Sequence, residues 1–504
     1  MKKLINNIEP SASPAPVRCG WGRMLCAFLG AVLLFTACSD FTDIKPKGKN
    51  LLSSTTDLDL LFNNEMSASM TDMNDVGGDV LYAYSSIPAM LSVDNPSRSA
   101  YLIGWKDTDA DIKRLELLTT SDSYYTNFYS YIGRIANPVL QQLNTASGSD
   151  AAKNALRAEA LTLRAYSHFM LLQKYAKAYN PATAATDPAI VYMTEDVDIA
   201  TPQPKKTVEE AYELALKDIN AAIDLNALPV EAAAKTRFNK AAAYAVKAHI
   251  CMAMRDYANA EAAAKEAIAV QGDLYDYWAH ATTANSYGGQ PYLTATVDSR
   301  YNPESYLALP DFVMFNWVQP ASWNAIETGY ATRDLMPTFT KLYKGFAGGA
   351  FEDYGATLGI SGWQAGFDNE HYINTSGLCA PMMYLYCAEC ELRAGHVDAA
   401  MGYLDVLRAK RLPADGFQPF KGIVTSMEAA KEKLKATSFA ENLWTGWNFI
   451  QRKRWNSEEG WSETLTRTIS GTTYTLAPNS NLWVFPFPNS AREKNENLTS
   501  NKNR

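Results

Sequence analysis

Four tryptophans, Trp278, Trp317, Trp323 and Trp363, lie in one stretch of the chain where Gly, Pro, Asn, Ser and Thr are dense. Asn316, Asn324 and Arg333 stand close to them in sequence. A second group, Tyr82, Tyr84 and Trp105, precedes Asp107 and Asp109. Flat aromatic faces match the CH-rich face of a pyranose, and amides, carboxylates or guanidinium groups serve its hydroxyls. The eight residues Tyr82, Tyr84, Trp105, Asp107, Trp278, Trp317, Trp323 and Trp363 are therefore the candidate ligand contacts. Asp107, Asp109 and Asp111 alternate like the start of a calcium loop, but Ile112 and Leu118 occupy the places that need Gly and Glu. They read as an exposed acidic turn, and no metal is expected.

Catalytic constellations are poor. His168, His249, His280, His371 and His396 are scattered, and no H-E-x-x-H, G-x-S-x-G or phosphate-loop pattern occurs. No pair of carboxylates stands out as a glycosidase couple. Cys387 and Cys390 form C-x-x-C without a second pair or a nearby His, inside a helical pattern. With Cys251 and Cys379 they read as small hydrophobes. No enzyme activity and no cofactor are expected.

The elements that must position these residues are mainly helical. Ala151 to Tyr179 keeps helical spacing through Leu156, Ala160, Leu163, Tyr166 and Met170. Thr207 and Glu210 form a capping box for a helix running through Leu214, Ile219 and Ile223. In 241–272, Ala248 and Ala260 flank a turn at Arg255-Asp256-Tyr257, and in 382–411, Ala388 and Ala400 flank Gly395. This spacing resembles the tetratricopeptide pattern, in which small residues let antiparallel helices approach. Two degenerate units are expected near 151–179 and 207–227. The aromatic-rich stretch 273–380 lacks helical periodicity and reads as a functional insertion. The tail holds short β-like pieces at 466–469 and 472–476.

The N-terminus addresses the cell envelope. A basic start precedes 14 apolar or small residues, Met24 to Ala37, too short to span a bilayer and suited to a secretory signal. Small residues just before Cys38 resemble a bacterial lipobox. Cys38 is then the expected lipidation site, residues 1–37 the signal peptide and 38–56 a lipidated tether. The body divides in expectation into a helical region over 57–275 and a region with the loop-rich insertion over 276–504.

Composition agrees with a packed export product. The 504 residues are 47% hydrophobic and 20% charged, values of a globular protein. Formal charge is −8, and the first 37 residues carry a local +3, which leaves −11 on the remainder. That balance disfavours nucleic acid as a partner.

Several segments together resemble the SusD/RagB family of outer-membrane nutrient-binding lipoproteins of Bacteroidetes. They are 128–132 with Asn137; Leu156 to Tyr166; Arg237 to Ala245; Ala388-Glu389 with Leu404, Asp405 and Arg408; and Phe485 to Ser490 followed by Asn495, Asn497-Leu498 and Asn501. Gly446 with Arg454-Trp455 fits a further family motif in part, because Thr445, Asn448 and Gln451 replace Glu, Arg and Asp, which points to a weakened or rewired charge network. The resemblance implies a mostly α fold. About four tetratricopeptide-like helix pairs form the scaffold, with minor β and an irregular, loop-rich face that binds ligand. It also implies an outward-facing, lipid-anchored place at the outer membrane. The expected function is capture of a nutrient, an oligosaccharide, and its delivery to a SusC-like TonB-dependent transporter. A helical-repeat adaptor that binds only protein is the alternative, and the aromatic insertion counts against it.

Overall fold

In a computed structural model of the chain, residues 52–503 are described except 65, 79, 83–86, 95, 278, 281, 288–289, 295–297, 312–315, 319–340, 343–363, 368–372, 413, 416 and 444. Residues 52–504 form one compact unit, and the expected break near 275 is a change of texture within it. Residues 1–51, and with them the signal segment, Cys38 and most of the tether, lie outside the described residues. The tether was expected to reach residue 56, but the body starts earlier. Ser54 caps the helix Thr55–Asp59 in a box with Asp57 and bridges to Ser147.

The scaffold is a series of helices packed largely in chain order. Helix α1 (Ser123–Tyr131) runs through a π-turn, Ile132–Ala136, and packs on α2 (Asp150–Tyr175). Ser149 caps α2 through Ala152 N–H, and from Ala158 onward every residue of α2 is buried. A helix buried all round is the core of the body. Helix α3 (Val208–Asp224) starts at the expected capping box and packs on α2. Arg164 of α2 forks onto Asp218 of α3 at 2.7 Å through both Nε and Nη2, a bidentate geometry that fixes orientation as well as energy. The two degenerate units expected at 151–179 and 207–227 are thus the two halves of one pair.

Helices α4 (Lys240–Ala253) and α5 (Tyr257–Val270) form the next pair, and α6 (Ala380–Arg393) and α7 (Val397–Arg408) another. Arg255 and Gly395 turn the chain with φ of +62° and +88°. Ala248, Ala260 and Ala388 are fully buried and Ala400 nearly so, as the repeat spacing requires. Helix α5 packs on α6, so the scaffold is continuous across the insertion between them. Helix α8 (Met427–Glu441) packs on both α6 and α7, and α9 (Trp447–Asn456) follows. Cys251, Cys387 and Cys390 are buried and free, and burial pushes the Cys251 and Cys387 thiols up to about 11 and 12. They act as hydrophobes, Cys390 lying 3.6 Å from the Met252 sulfur.

The charge network around α9 centres on Glu389 and Arg454. Arg454 forks onto Glu389 at 2.7 and 2.6 Å, and Arg393 adds a third contact at 2.8 Å. Burial raises the Glu389 carboxyl, but Arg454 and Arg393 outweigh it and hold it at about 2. Gln451 accepts from Arg454, Asn448 donates to Phe439 O, and Thr445 donates to Asn442 O. Neutral partners thus replace charged ones.

The carbonyls at the end of α2 have no intrahelical donor. Lys453 of α9 donates to Gln173 O and Ala176 O, and Asn501 in the tail donates to Tyr175 O and Ala189 O. This explains the asparagines of the tail: Asn495 likewise holds Gln203 O. Among the described residues no helix is long and apolar enough to cross a membrane.

Candidate ligand-binding face

The sheet that carries the candidate residues has four antiparallel strands in the order β1-β2-β4-β3: β1 (Val80–Tyr82), β2 (Asn316–Val318), β3 (Lys341–Leu342) and β4 (Gln364–Phe367). Its register joins the two aromatic groups that are far apart in sequence. Tyr82 stands opposite Asn316, and Asn316 opposite Gly366. Leu81 stands opposite Trp317, and Trp317 opposite Ala365. Directly opposed residues share a face and successive ones alternate. Leu81 is fully buried. Leu81, Trp317 and Ala365 thus share one row of the sheet, and Tyr82, Asn316 and Gly366 the next.

A strand glycine marks close approach of another group. Gly366 is the member that motif reading overlooked, and its position inside a strand was the available signal.

Trp105 has a different role from the one expected. It is 5% exposed, and its φ is +45°, an outlier for a bulky residue. Its indole N–H donates to Val76 O at 3.0 Å. The Arg467 guanidinium lies 3.8 Å from its ring centroid. Arg467 also donates to Asp75 O at 2.8 Å, Val76 O at 3.2 Å and Ile103 O at 3.3 Å. Trp105 is thus a core residue and not a solvent-facing platform. The pair grips the π-turn Asn74–Gly78 that leads directly into β1. It therefore positions Tyr82.

Arg467 comes from β5 (Leu465–Ile469), paired with β6 (Thr472–Leu476), and these are the two β-like pieces expected in the tail. Ser470 and Gly471 close that hairpin with φ of +51° and +75°, the two-residue turn whose twist suits a hairpin. Leu465, Arg467 and Ile469 are the buried positions of β5. An arginine on the inward face of an alternating strand was the sequence signal for a buried partner.

Asp107 is half-buried two residues beyond Trp105. Asp111 closes a capping box on Thr108, accepting from its N–H at 3.1 Å and its hydroxyl at 2.6 Å. Asp109 and Asp111 thus form the first turn of the helix Asp109–Leu118. Among the described residues no group of ligating side chains could hold a metal.

The loop-rich segment rises from a pinned stem. Residues Ser305–Leu307 pair with Leu378–Cys379, and Pro310–Asp311 with Ile373–Asn374. The Asn374 side-chain oxygen Oδ1 accepts from Leu309 N–H and Gly377 N–H. Beneath it, buried Arg411 joins Glu304 at 2.8 Å and Glu441 at 2.9 Å. Burial and the neighbouring Glu441 push Glu304 up to about 7 against the pull of Arg411. Binding loops on a rigid base are the common arrangement for ligand capture. Tyr84, Trp278, Trp323 and Trp363, with Asn324 and Arg333, lie outside the described residues.

Residues 40–252 match a SusD-like family model described as starch-binding and associating with the outer membrane. A SusD superfamily protein from Bacteroides fragilis is 16% identical, with a TM-score of 0.60 over 90% of this chain and 100% of that one. A SusD-like carbohydrate binding protein from Bacteroides vulgatus is 15% identical, with a TM-score of 0.56 over 88% and 97%. A SusD superfamily protein from Bacteroides thetaiotaomicron is 16% identical, with a TM-score of 0.56 over 89% and 99%. At these identities the likeness is one of fold. No curated protein matches the sequence.

Proposed function

We propose that the chain, which matches a SusD-like family model over residues 40–252, belongs to that family and is a non-catalytic glycan-binding lipoprotein of the outer membrane. In this reading Cys38 carries the lipid, and the body captures an oligosaccharide outside the cell. The glycan then passes to a SusC-like TonB-dependent transporter. The observation that carries the reading is the family match over 40–252, described as starch-binding, on a chain whose fold follows SusD superfamily proteins over nine-tenths of its length.

The mechanism is binding and release. Tyr82, Tyr84, Trp278, Trp323 and Trp363 supply flat apolar faces, while Asn316 serves hydroxyls. Trp105 and Arg467 hold the strand that carries Tyr82, and the Glu304–Arg411–Glu441 network holds the stem of the loops. Stacking on such faces tolerates many sugars, so specificity rests with the amides and loop shape. Affinity electrophoresis of the full-length protein in gels cast with a panel of polysaccharides tests the proposal. Retardation by at least one glycan is expected, and migration unchanged by every glycan contradicts it.

A further inference from the structure

A groove of about 690 Å³ opens between α1 with its π-turn, the segment 191–203 and the tail from Ser490 to Leu498. It is built from elements other than the sheet of Tyr82 and Trp317. Its size falls within the range of small-molecule sites. π-turns inside helices are frequent at functional sites.

The groove's amides are already spent on its own walls. Asn137 donates to Met193 O and accepts from Arg164. Asn495 donates to Gln203 O, and the Gln203 amide turns back onto Asp198 O and Thr201. Tyr129 donates its hydroxyl to Val191 O. What remains uncommitted differs in kind. The side chains of Arg134 and Lys494, on two different walls, have no hydrogen-bond or ion-pair partner among the described residues, and both are exposed. The Ser130 and Tyr125 hydroxyls are likewise without a partner among the described residues. No carboxylate lines the groove, although the chain as a whole is acidic. Arg134 and Lys494 are the charged side chains of the lining, so a carboxylate that reaches them gains charge-assisted hydrogen bonds there although the chain as a whole is negative.

We infer that this groove is a second ligand site and that it takes an acidic saccharide, a uronate unit whose carboxylate meets Arg134 and Lys494. The ring hydroxyls meet Ser130 and Tyr125. The guanidinium offers a carboxylate two parallel donors, and the ammonium adds a point charge. A neutral sugar gains nothing from either cation, so the groove discriminates by charge.

The test uses the full-length protein in detergent and calorimetric titration with trimers of galacturonate, glucuronate and mannuronate. At least one trimer binds, and its affinity falls as salt is raised from 50 to 500 mM. Arg134→Gln and Lys494→Gln each weaken binding about tenfold, the loss expected for one charge-assisted hydrogen bond. Neither exposed substitution changes the melting temperature. Any neutral glycan found by affinity electrophoresis binds the double variant as it binds the parent, which separates this site from the loop-rich face. Failure of all three uronates to bind the parent protein overturns the inference, as does equal binding by the double variant. Tetraglutamate binding as tightly as the best uronate overturns its saccharide part.

Discussion

The Arg467 guanidinium lies 3.8 Å from the centre of the Trp105 ring, and both residues bond to the carbonyl of Val76. A desolvated cation over an indole contributes about 2 kcal/mol, and the guanidinium also satisfies three buried carbonyls. Trp105→Ala should therefore cost about 3–5 kcal/mol in urea unfolding. Arg467→Met should also destabilise, by about 1–3 kcal/mol, because the carbonyls lose their donor. Loss of glycan binding in Trp105→Ala with unchanged stability would mean that the ring contacts ligand directly.

The row assignment of the sheet separates two aromatic residues that composition alone treats alike. Trp317 pairs with the buried Leu81, whereas Tyr82, the next residue along the strand, pairs with Asn316. Tyr82→Ala should weaken glycan affinity about fivefold or more, a stacking loss of about 1 kcal/mol, at unchanged melting temperature. By strand alternation from the buried Leu81, Trp317→Ala is expected to lower the melting temperature. The reverse pattern would show that the register is shifted by one residue.

Helix crossings in the scaffold depend on small side chains. Ala248 and Ala260 are both fully buried where α4 and α5 meet. Ala248→Leu and Ala260→Leu should each overpack the crossing and cost about 1–3 kcal/mol in chemical denaturation. Two variants that unfold like the parent would place the crossing elsewhere.

His249 is buried and stacks on Trp447 at 4.2 Å between centroids, with Nδ1 2.7 Å from the Tyr386 hydroxyl. Burial, helped by nearby Arg454, depresses its pKa to about 3. The unfolded chain, titrating near 6.5, binds a proton in the window between 3 and 6.5 that the native state refuses. Stability is then complete above pH 6.5 and lost as pH falls through that window. Between pH 5 and 6 the His249→Phe variant should show a stability slope lower by about 1 kcal/mol per pH unit. Comparing variant with parent removes the contribution of Glu304, which is pushed up to about 7 and acts with opposite sign. Identical slopes would mean that His249 takes up its proton in the native state.

The sequence made local features legible because local chemistry decides them. The Thr207–Glu210 box, the alanine spacing of α4 to α7 and the β5–β6 hairpin each need only neighbouring residues, and each is found. The partner of α2 was not legible, because which helix packs on it depends on non-local contacts such as Arg164 with Asp218. Trp105 was misread for the same reason. Its neighbours in sequence suggest a loop at the surface, and its burial depends on Arg467 from a hairpin far along the chain. The meeting of Tyr82 with Asn316 likewise follows from strand pairing that no local pattern encodes.

Titration calorimetry of the full-length protein with a glycan that retards it in affinity gels, followed by chromatography of the recovered glycan, tests capture without cleavage most directly. The account predicts saturable binding to the parent, a loss in Tyr82→Ala, and a glycan recovered at its original length. Shortened products, or a heat signal that never saturates, would contradict it.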